Sequence, residues 1–587
     1  MAACGSGATL APPAVHLVDT ARATANAVTV SPLPGTPDAS PTTQISFLGA
    51  AGTTVLRVRA SGSRSGRHRG ALRAYSTGTG ESFLPAKPFV AGEHVTVTAR
   101  VRSQGETATV RTQFTIGFRA PVSQAEFPRT PGNPADVQHF ASAPTLTPST
   151  VRITVPARTG AASGDLFLAP YRGVGTAGPM IAEQSGGLVW FHPLPAGESA
   201  TNFRPQRYAG RTVLTWWQGR ILRAGFGQGV DEIYDASYRP LAQVRAGNGY
   251  HADLHEFRLE PDGTAWIDAF DPVEVDLSGL HGSDDAPVSD SIVQQIDVRT
   301  GLVMWEWHAL GHIALAASYS PLPDDGRSWD YVHLNSIDPS KPGEVLLSSR
   351  NTSAIYVVSI HSGATLRRIG GRSPTVKPGA GTAFYYQHDA EWQPGGMISV
   401  FDNGGSPNRE PQSRGLVLDP EVPGGGVALR AAFAHPGRHL LASSQGNLLN
   451  LGSGRWLMGY GGLADFTEYA ASGAVLLDGS LGAGVQDYRT YLAPWSATPA
   501  AAPAIAAQRA AGGVVSVHAS WNGATAVAAW RVLAGNSPAS LHAVATVPRG
   551  GFETAASVPT RARLVAVQAL DASGRPLRRS RALAPAA

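Results

Sequence analysis

From about residue 27 the chain is written in short runs where apolar and polar residues alternate, broken by turns rich in Gly, Asp and Pro. "TTVLRVRASG", "HVTVTARVRS" and "ATVRTQFTIG" keep a period of two, the pattern of strands with one buried face. They predict a small β-sandwich over 27–118. After about residue 500 an Ala/Pro stretch leads to "GGVVSVHASWNGATAVAAWRVLAG" and "ARLVAVQALDASG". Trp521 and Trp530 stand there like the core tryptophans of a fibronectin-like sandwich.

The middle of the chain repeats. Five segments share a lead residue, a glycine turn about eight positions later and then an apolar strand: "NFRPQRYAGRTVLTWW", "HEFRLEPDGTAWIDAF", "HLNSIDPSKPGEVLLSSR", "HDAEWQPGGMISVFDN" and "GNLLNLGSGRWLMGYG". "VPARTGAASGDLFLAPY" is a weaker sixth copy. A second turn-and-strand phrase follows each hairpin, as in "RTGLVMWEWH" and "HSGATLRRIG". Six hairpins with six trailing phrases, at a period of about 50 to 65, predict a six-bladed β-propeller whose first blade is completed by "YRTYLAPW". The expected fold is therefore all-β: a tether over 1–26, an N-terminal Ig-like sandwich over 27–118, a linker over 119–149, the propeller over 150–497, an Ala/Pro linker over 498–510 and a C-terminal fibronectin-like sandwich over 511–587.

Composition agrees and narrows the function. Of 587 residues, 67 are Gly and 44 Pro, with 15% charged, which suits turns and strands rather than helices. A net charge of +4 with scattered arginines gives no track for a phosphate backbone, so nucleic acid is not expected as a partner. There is neither a GxxxxGK[ST] loop nor a credible GxGxxG to cradle a nucleotide. The single cysteine, Cys4, lies in "MAACGSG", which looks like the end of a lipoprotein signal trimmed of its earlier part. A lipid anchor on Cys4 and an extracytoplasmic location, tethered or secreted, are the expectation. No run reaches the ~18 apolar residues of a membrane span.

The repeat gives the histidines meaning. In three consecutive copies the lead residue is His255, His333 and His388, whereas other copies carry Asn202 and Gly446. Equivalent positions of neighbouring blades lie at one height around the channel, so the three imidazoles should converge. Antiparallel pairing brings Arg350, at the end of the second strand, beside His333, and sets Asp402 beside His388, where it either orients the ring or caps the turn. His251 and Asp253 share the face of His255 by strand alternation. One of Trp216 and Trp217 can face the channel as an aromatic wall, and Trp217 is counted among the substrate contacts. Three imidazoles and a guanidinium form an anion site that also holds a nucleophile and proton donors. Three histidines could alternatively hold zinc, but the fixed cation of Arg350 opposes it, and no metal is expected.

The motifs "NFRPQRY", "VLTWWQG", "DLHEFRLEPDGTAW", "DYVHLNSI", "LLSSRNTSAIYVV", "QHDAEW" and "ISVFDNG" resemble the bacterial arylsulfotransferases that work without a nucleotide donor, over roughly residues 150–490. The resemblance implies a six-bladed propeller with an added β-domain, no cofactor, and transfer of a sulfuryl group from a phenolic sulfate ester to a phenol. Transfer would be ping-pong, through a sulfohistidine. His388 would be the nucleophile; His255, His333 and Arg350 would bind the sulfuryl oxygens and assist the leaving phenolate. Asn335 of "HLNSI", Asp402, His251 and Trp217 would contact substrate. Two features depart from the family: better-studied members carry a disulfide that one cysteine cannot form, and "HADLHEF" replaces an HHD-type sequence, leaving His255 the match by spacing and His251 the alternative. The competing reading is a non-catalytic extracytoplasmic propeller that binds sulfated, aromatic or glycan ligands.

Overall fold

The computed structural model describes Leu17 and residues 28–587. Cys4 and, Leu17 apart, the rest of the expected tether lie outside the described residues. The molecule is all-β, 48% strand and 3% helical, and its middle is a propeller-like succession of antiparallel sheets. Among the described residues no helix is long and apolar enough to cross a membrane.

Sheet I holds Asp165–Leu168, Met180–Ala182 and Leu188–Phe191, with Tyr491–Ala493 added on the inner side of Asp165–Leu168. Sheet II runs in order through Ser199–Tyr208, Arg211–Ile221, Gly227–Tyr234 and Pro240–Val244. Sheet III is Phe257–Leu259, Thr264–Val275, Ala286–Asp297 and Val303–His308, with Trp329–Asp330 alongside its third strand. Sheet IV comprises Leu334–Asp338, Glu344–Ser349, Ala354–Ser359 and Thr365–Gly370. Sheet V comprises His388–Gln393, Met397–Asp402, Arg414–Val422 and Gly426–Phe433. Sheet VI comprises Asn447–Gly452, Arg455–Gly459, Asp465–Tyr469 and Val475–Leu481, and Val151–Val155 extends it outward.

The weak sixth copy behaves differently from its expectation. Its first strand, Val151–Val155, does not form a hairpin with Asp165–Leu168; it pairs with the outer edge of sheet VI. The inner place in sheet I goes to the "YRTYLAPW" strand, in the register Asp165↔Ala493 to Phe167↔Tyr491. Both ends of the repeat region are thus tied across the junction between the first and last sheets.

Apolar side chains fill the spaces between consecutive sheets. Phe167, Trp190, Phe203 and Trp216 pack between I and II, and Trp217, Ile233, Phe257 and Ile267 between II and III. Trp266, Trp305, Ile337 and Tyr356 fill the space between III and IV; Ile355, Ala390 and Leu416 that between IV and V. Phe401, Leu448 and Tyr469 join V to VI, and Phe466 with Leu166 and Met180 joins VI back to I. Alternate tryptophans of "TWW" therefore enter two different layers, and neither faces the centre.

Outside this region, the sheets of residues 29–115 share one core, and those of residues 504–579 share another built on Trp521 and Trp530. The first group rests on sheet III, where Ser46 Oγ donates to Val303 O at 2.6 Å. The second rests on sheet I, where Phe191 N and O bond the two ends of the Asn522 amide, each at 2.9 Å.

At the centre the inner strands are joined by charge. Arg489, fully buried, reaches Glu256 Oε2 at 3.0 Å, Asp389 Oδ1 at 3.1 Å and the carbonyl of Asn335 at 2.7 Å. Arg204 meets the other Glu256 oxygen at 2.9 Å. Burial alone would raise the Glu256 carboxyl, but Arg489, Arg204 and Arg258 outweigh it and hold it at about 2. Replacing Arg489 by Met leaves Glu256 and Asp389 buried with one cation fewer. The expected loss is about 3–5 kcal/mol in denaturant unfolding, and a loss below about 1 kcal/mol would show that the hub is incidental to stability.

Candidate active site

Above the Arg489 hub, a cavity of about 220 Å³ is lined by His255, His333, Arg350, His388, Tyr488, Gln445 and Phe127, among others. Irregular backbone at the tops of the inner strands aims these side chains. Register shifts fall between Leu334 and Ser336 and between His388 and Glu391, with left-handed φ at His333 (53°) and Asp389 (56°). Such bulges re-aim a side chain that a regular strand would send into a layer between sheets. Arg350 lies where hairpin geometry places it: its N–H donates to the His333 carbonyl at 3.0 Å.

The His255 and His333 rings meet edge to face, 4.6 Å apart, and Tyr488 lies 5.5 Å from His255 and 6.4 Å from His388. Arg350 sits over the Tyr386 ring at 5.6 Å, with 22% of its side chain open to the cavity. Its Nε donates to Asn351 at 3.0 Å, and its Nη2 lies 3.6 Å from Asp330, which leaves donor capacity facing the cavity.

Each imidazole is held from behind through Nδ1. His255 Nδ1 bonds Asp253, with Asp268 Oδ2 a further 4.0 Å off. His333 Nδ1 bonds Asp330 Oδ2 at 2.5 Å. His388 Nδ1 bonds Asn403 Oδ1 at 2.7 Å. The Asn403 amide is oriented by its own donors, since Nδ2 is committed to the carbonyls of Ala442 (3.0 Å) and Gln445 (2.9 Å). Its oxygen must then face His388, the proton must lie on Nδ1, and the lone pair must lie on Nε2. That lone pair accepts from the backbone N–H of Gln445 at 3.1 Å. Gly446 makes the close pass of this loop feasible, because at φ 104° a Cβ would stand 2.5 Å from the Phe401 ring.

The backing groups divide the histidines chemically. A carboxylate behind an imidazole stabilises its protonated form, whereas a neutral amide does not. Burial and then Arg350 drive the His388 pKa well below the ordinary imidazole value, so the ring is neutral. Burial and Arg350 also bring His333 to about 4. Burial pushes Asp330 up, but His333 and Arg350 outweigh it and keep the carboxyl below its usual range. Burial raises Tyr488 well above the ordinary phenol value, leaving a neutral hydroxyl that donates to Asn335 O at 3.3 Å.

The other four residues expected to touch substrate lie away from the cavity. Asp402 is fully buried, pairs with Arg414 at 2.7 Å and accepts from Tyr385 N and Gly404 N, so it caps the turn; Asn403, one residue on, orients the ring. Asn335 Nδ2 donates to Gln387 O at 2.8 Å, sewing sheet IV to sheet V beneath the imidazoles. Trp217 is fully buried, donates to Ala252 O and packs where Gly227 has no room for a Cβ. His251 is exposed, because residues 251–256 precede the strand Phe257–Leu259 and strand alternation does not govern them. Sequence reasoning passed over Asn403, Gln445, Tyr488 and Phe127. The signal for Tyr488 was present in "YRTYLAPW"; Phe127 comes from the segment expected to be only a linker.

Three solved structures show remote similarity. A quinonprotein alcohol dehydrogenase-like protein from Bacteroides thetaiotaomicron is 12% identical, covering 78% of this chain and 96% of its own, with a TM-score of 0.28. Dihydro-heme d1 dehydrogenase NirN in complex with DHE is 12% identical over 77% of this chain and 79% of its own, with a TM-score of 0.23. Apo AztD from Citrobacter koseri is 10% identical over 74% and 96%, with a TM-score of 0.24. No curated protein matches the sequence. Residues 204–482 match the family model described as arylsulfotransferase (ASST), a span that includes His255, His333, Arg350, His388 and Asn403. The match covers a little under half of the chain and shows that this region is similar to the arylsulfotransferases, as its motifs suggest.

Proposed function

We infer that the protein moves a sulfuryl group from a phenolic sulfate ester to a phenol by a ping-pong route through His388, on a six-bladed β-propeller flanked by two β-sandwiches. The observation that carries this reading is the set of three buried imidazoles, each anchored through Nδ1, gathered with Arg350 around one cavity. The similarity of residues 204–482 to the arylsulfotransferases supports the reaction class.

In the first half-reaction the His388 Nε2 lone pair attacks sulfur, an N–S bond forms, and the S–O bond to the phenol breaks with its electron pair leaving on oxygen. Gln445 N–H releases Nε2 as this happens and turns to a sulfuryl oxygen, while Arg350 and the His333 edge offset the charge on the others. His255, backed by Asp253 and Asp268, passes a proton to the phenolate. In the second half-reaction the acceptor phenol returns that proton to His255, its oxygen attacks sulfur, and the N–S bond breaks. Tyr488 and Phe127 give the aryl rings apolar contact. The amide backing of His388 fits a nucleophile that must stay neutral; the carboxylate backing of His255 fits a proton carrier. An extracytoplasmic setting, with Cys4 lipidated or removed, is part of the same proposal.

With 4-nitrophenyl sulfate and phenol, nitrophenolate release should depend on phenol, and the intact protein should gain the mass of one sulfuryl group when phenol is omitted. His388→Ala should abolish both. Release that persists in His388→Ala would exclude this histidine as nucleophile, and absence of release across several aryl sulfates would leave the non-catalytic binding propeller. Arg350→Ala should lower kcat/KM by about 10²–10³, as for loss of one oxyanion donor, in steady-state assays.

The pH dependence follows from the backing groups. His388 is inactive as a nucleophile when protonated, and its pKa lies well below 6.5. The acid limb of kcat/KM should therefore stay below pH 6.5 in the parent protein. Asn403→Asp places a carboxylate behind the ring, so the limb should move to higher pH. An unmoved limb in a folded, active Asn403→Asp protein would detach His388 from that titration.

A further inference from the structure

A second cluster of ligating side chains lies where the N-terminal sheets meet sheet III. His308, fully buried at the end of Val303–His308, has Nδ1 2.9 Å from Asp290 Oδ2 and 3.1 Å from Asp38 Oδ1. Its Nε2 lies 3.2 Å from Glu306 Oε1. Glu306 is fixed as an acceptor, because its other oxygen receives Asn248 Nδ2 and Gln294 Nε2, both at 2.6 Å. The Nε2 proton therefore belongs to Glu306, and in the neutral ring Nδ1 carries a lone pair.

That lone pair faces two carboxylates. One ring nitrogen can carry one proton, so even an imidazolium satisfies only one of them. Asp38 is 5% exposed, and neither of its oxygens has a hydrogen-bond donor. Asp290 keeps its second oxygen on Leu310 N at 2.8 Å, leaving Oδ2 turned toward the same point as Asp38 and Nδ1. The three ligand atoms lie within 4.8 Å of one another. The 2.9 and 3.1 Å separations match the ~3.0–3.4 Å between neighbouring ligands of an ion bound at ~2.1 Å.

The site takes three carboxyl groups, those of Asp38, Asp290 and Glu306, out of water, and the nearby Arg119 is already paired with Asp271 at 2.9 Å. Buried polar atoms without a partner are costly, and a bound cation would satisfy both the Asp38 oxygens and the Nδ1 lone pair. An imidazole bound through one nitrogen and held by a carboxylate on the other is also a common arrangement around bound metal.

We propose that Asp38, Asp290 and His308 bind a divalent first-row ion of the zinc or manganese type, which staples the N-terminal unit to sheet III. Mixed imidazole and carboxylate donors suit these ions. The site is separate from the histidine cavity, and the proposal stands whether or not His388 transfers a sulfuryl group.

The test uses the full chain, unfolded in denaturant with chelator and refolded with Zn²⁺, with Mn²⁺ or with neither, then dialysed. Elemental analysis should find about one ion per chain for at least one metal. The ion-loaded form should melt at higher temperature, and Asp38→Asn and His308→Gln should each lower retention at least tenfold. His255→Ala should retain the ion. If those substitutions prevent folding, X-ray absorption on the loaded parent protein decides: one imidazole nitrogen among oxygen ligands supports the staple. A shell of several imidazoles overturns it, as does absence of stoichiometric binding or retention unchanged in folded Asp38→Asn and His308→Gln proteins.

Discussion

One guanidinium, that of Arg489, holds the centre of this molecule together. The sheets surrounding it gain their apolar contact from neighbours, and apolar contact is non-directional, so the heights of the inner strands rest on polar contacts between them. Arg489 makes such contacts to Glu256 ahead of sheet III, the Asn335 carbonyl in sheet IV and Asp389 in sheet V. These partners lie one residue from His255, two from His333 and one from His388, so the constraint that fixes the strands also fixes the imidazoles. In a low-dielectric centre such a network tolerates few alternatives, because each displaced partner leaves a charge uncovered.

Above that hub, the chemistry differs between histidines although their positions are equivalent. Repetition brings three rings to one height; what each can do depends on the atom behind it. Asp253 and Asp330 set a carboxyl group against the rings of His255 and His333, whereas Asn403 sets a neutral amide against His388 and fixes its tautomer. The difference between the three imidazoles therefore lies in the residues behind them, outside the repeat's lead position.

This explains what could be read from the sequence. The lead histidines and Arg350 were legible because a repeat fixes which residues share a height, and hairpin pairing fixes which lie side by side. Of the two roles open to Asp402 the structure shows the turn cap, because turn geometry, and not strand alternation, sets residue 403 against His388. His251 failed for a related reason, since alternation was applied where no strand exists. Trp217 was misassigned because each face of a strand here meets a layer between sheets. Phe127 was illegible: a linker without periodicity carries no sign of where it crosses the fold. The Asp38 cluster was hidden by separation, Asp38 lying about 250 residues before Asp290 and His308 in sequence.

The last inner strand to be made, Tyr491–Ala493, fills the first sheet, and the residues just before it supply Tyr488 and Arg489. During synthesis the histidines are all present long before their centre is locked. A chain that stops short of about residue 490 holds every imidazole and lacks the clamp that aligns them. The alignment of the three imidazoles therefore depends on residues that leave the ribosome about 100 positions after the last of them.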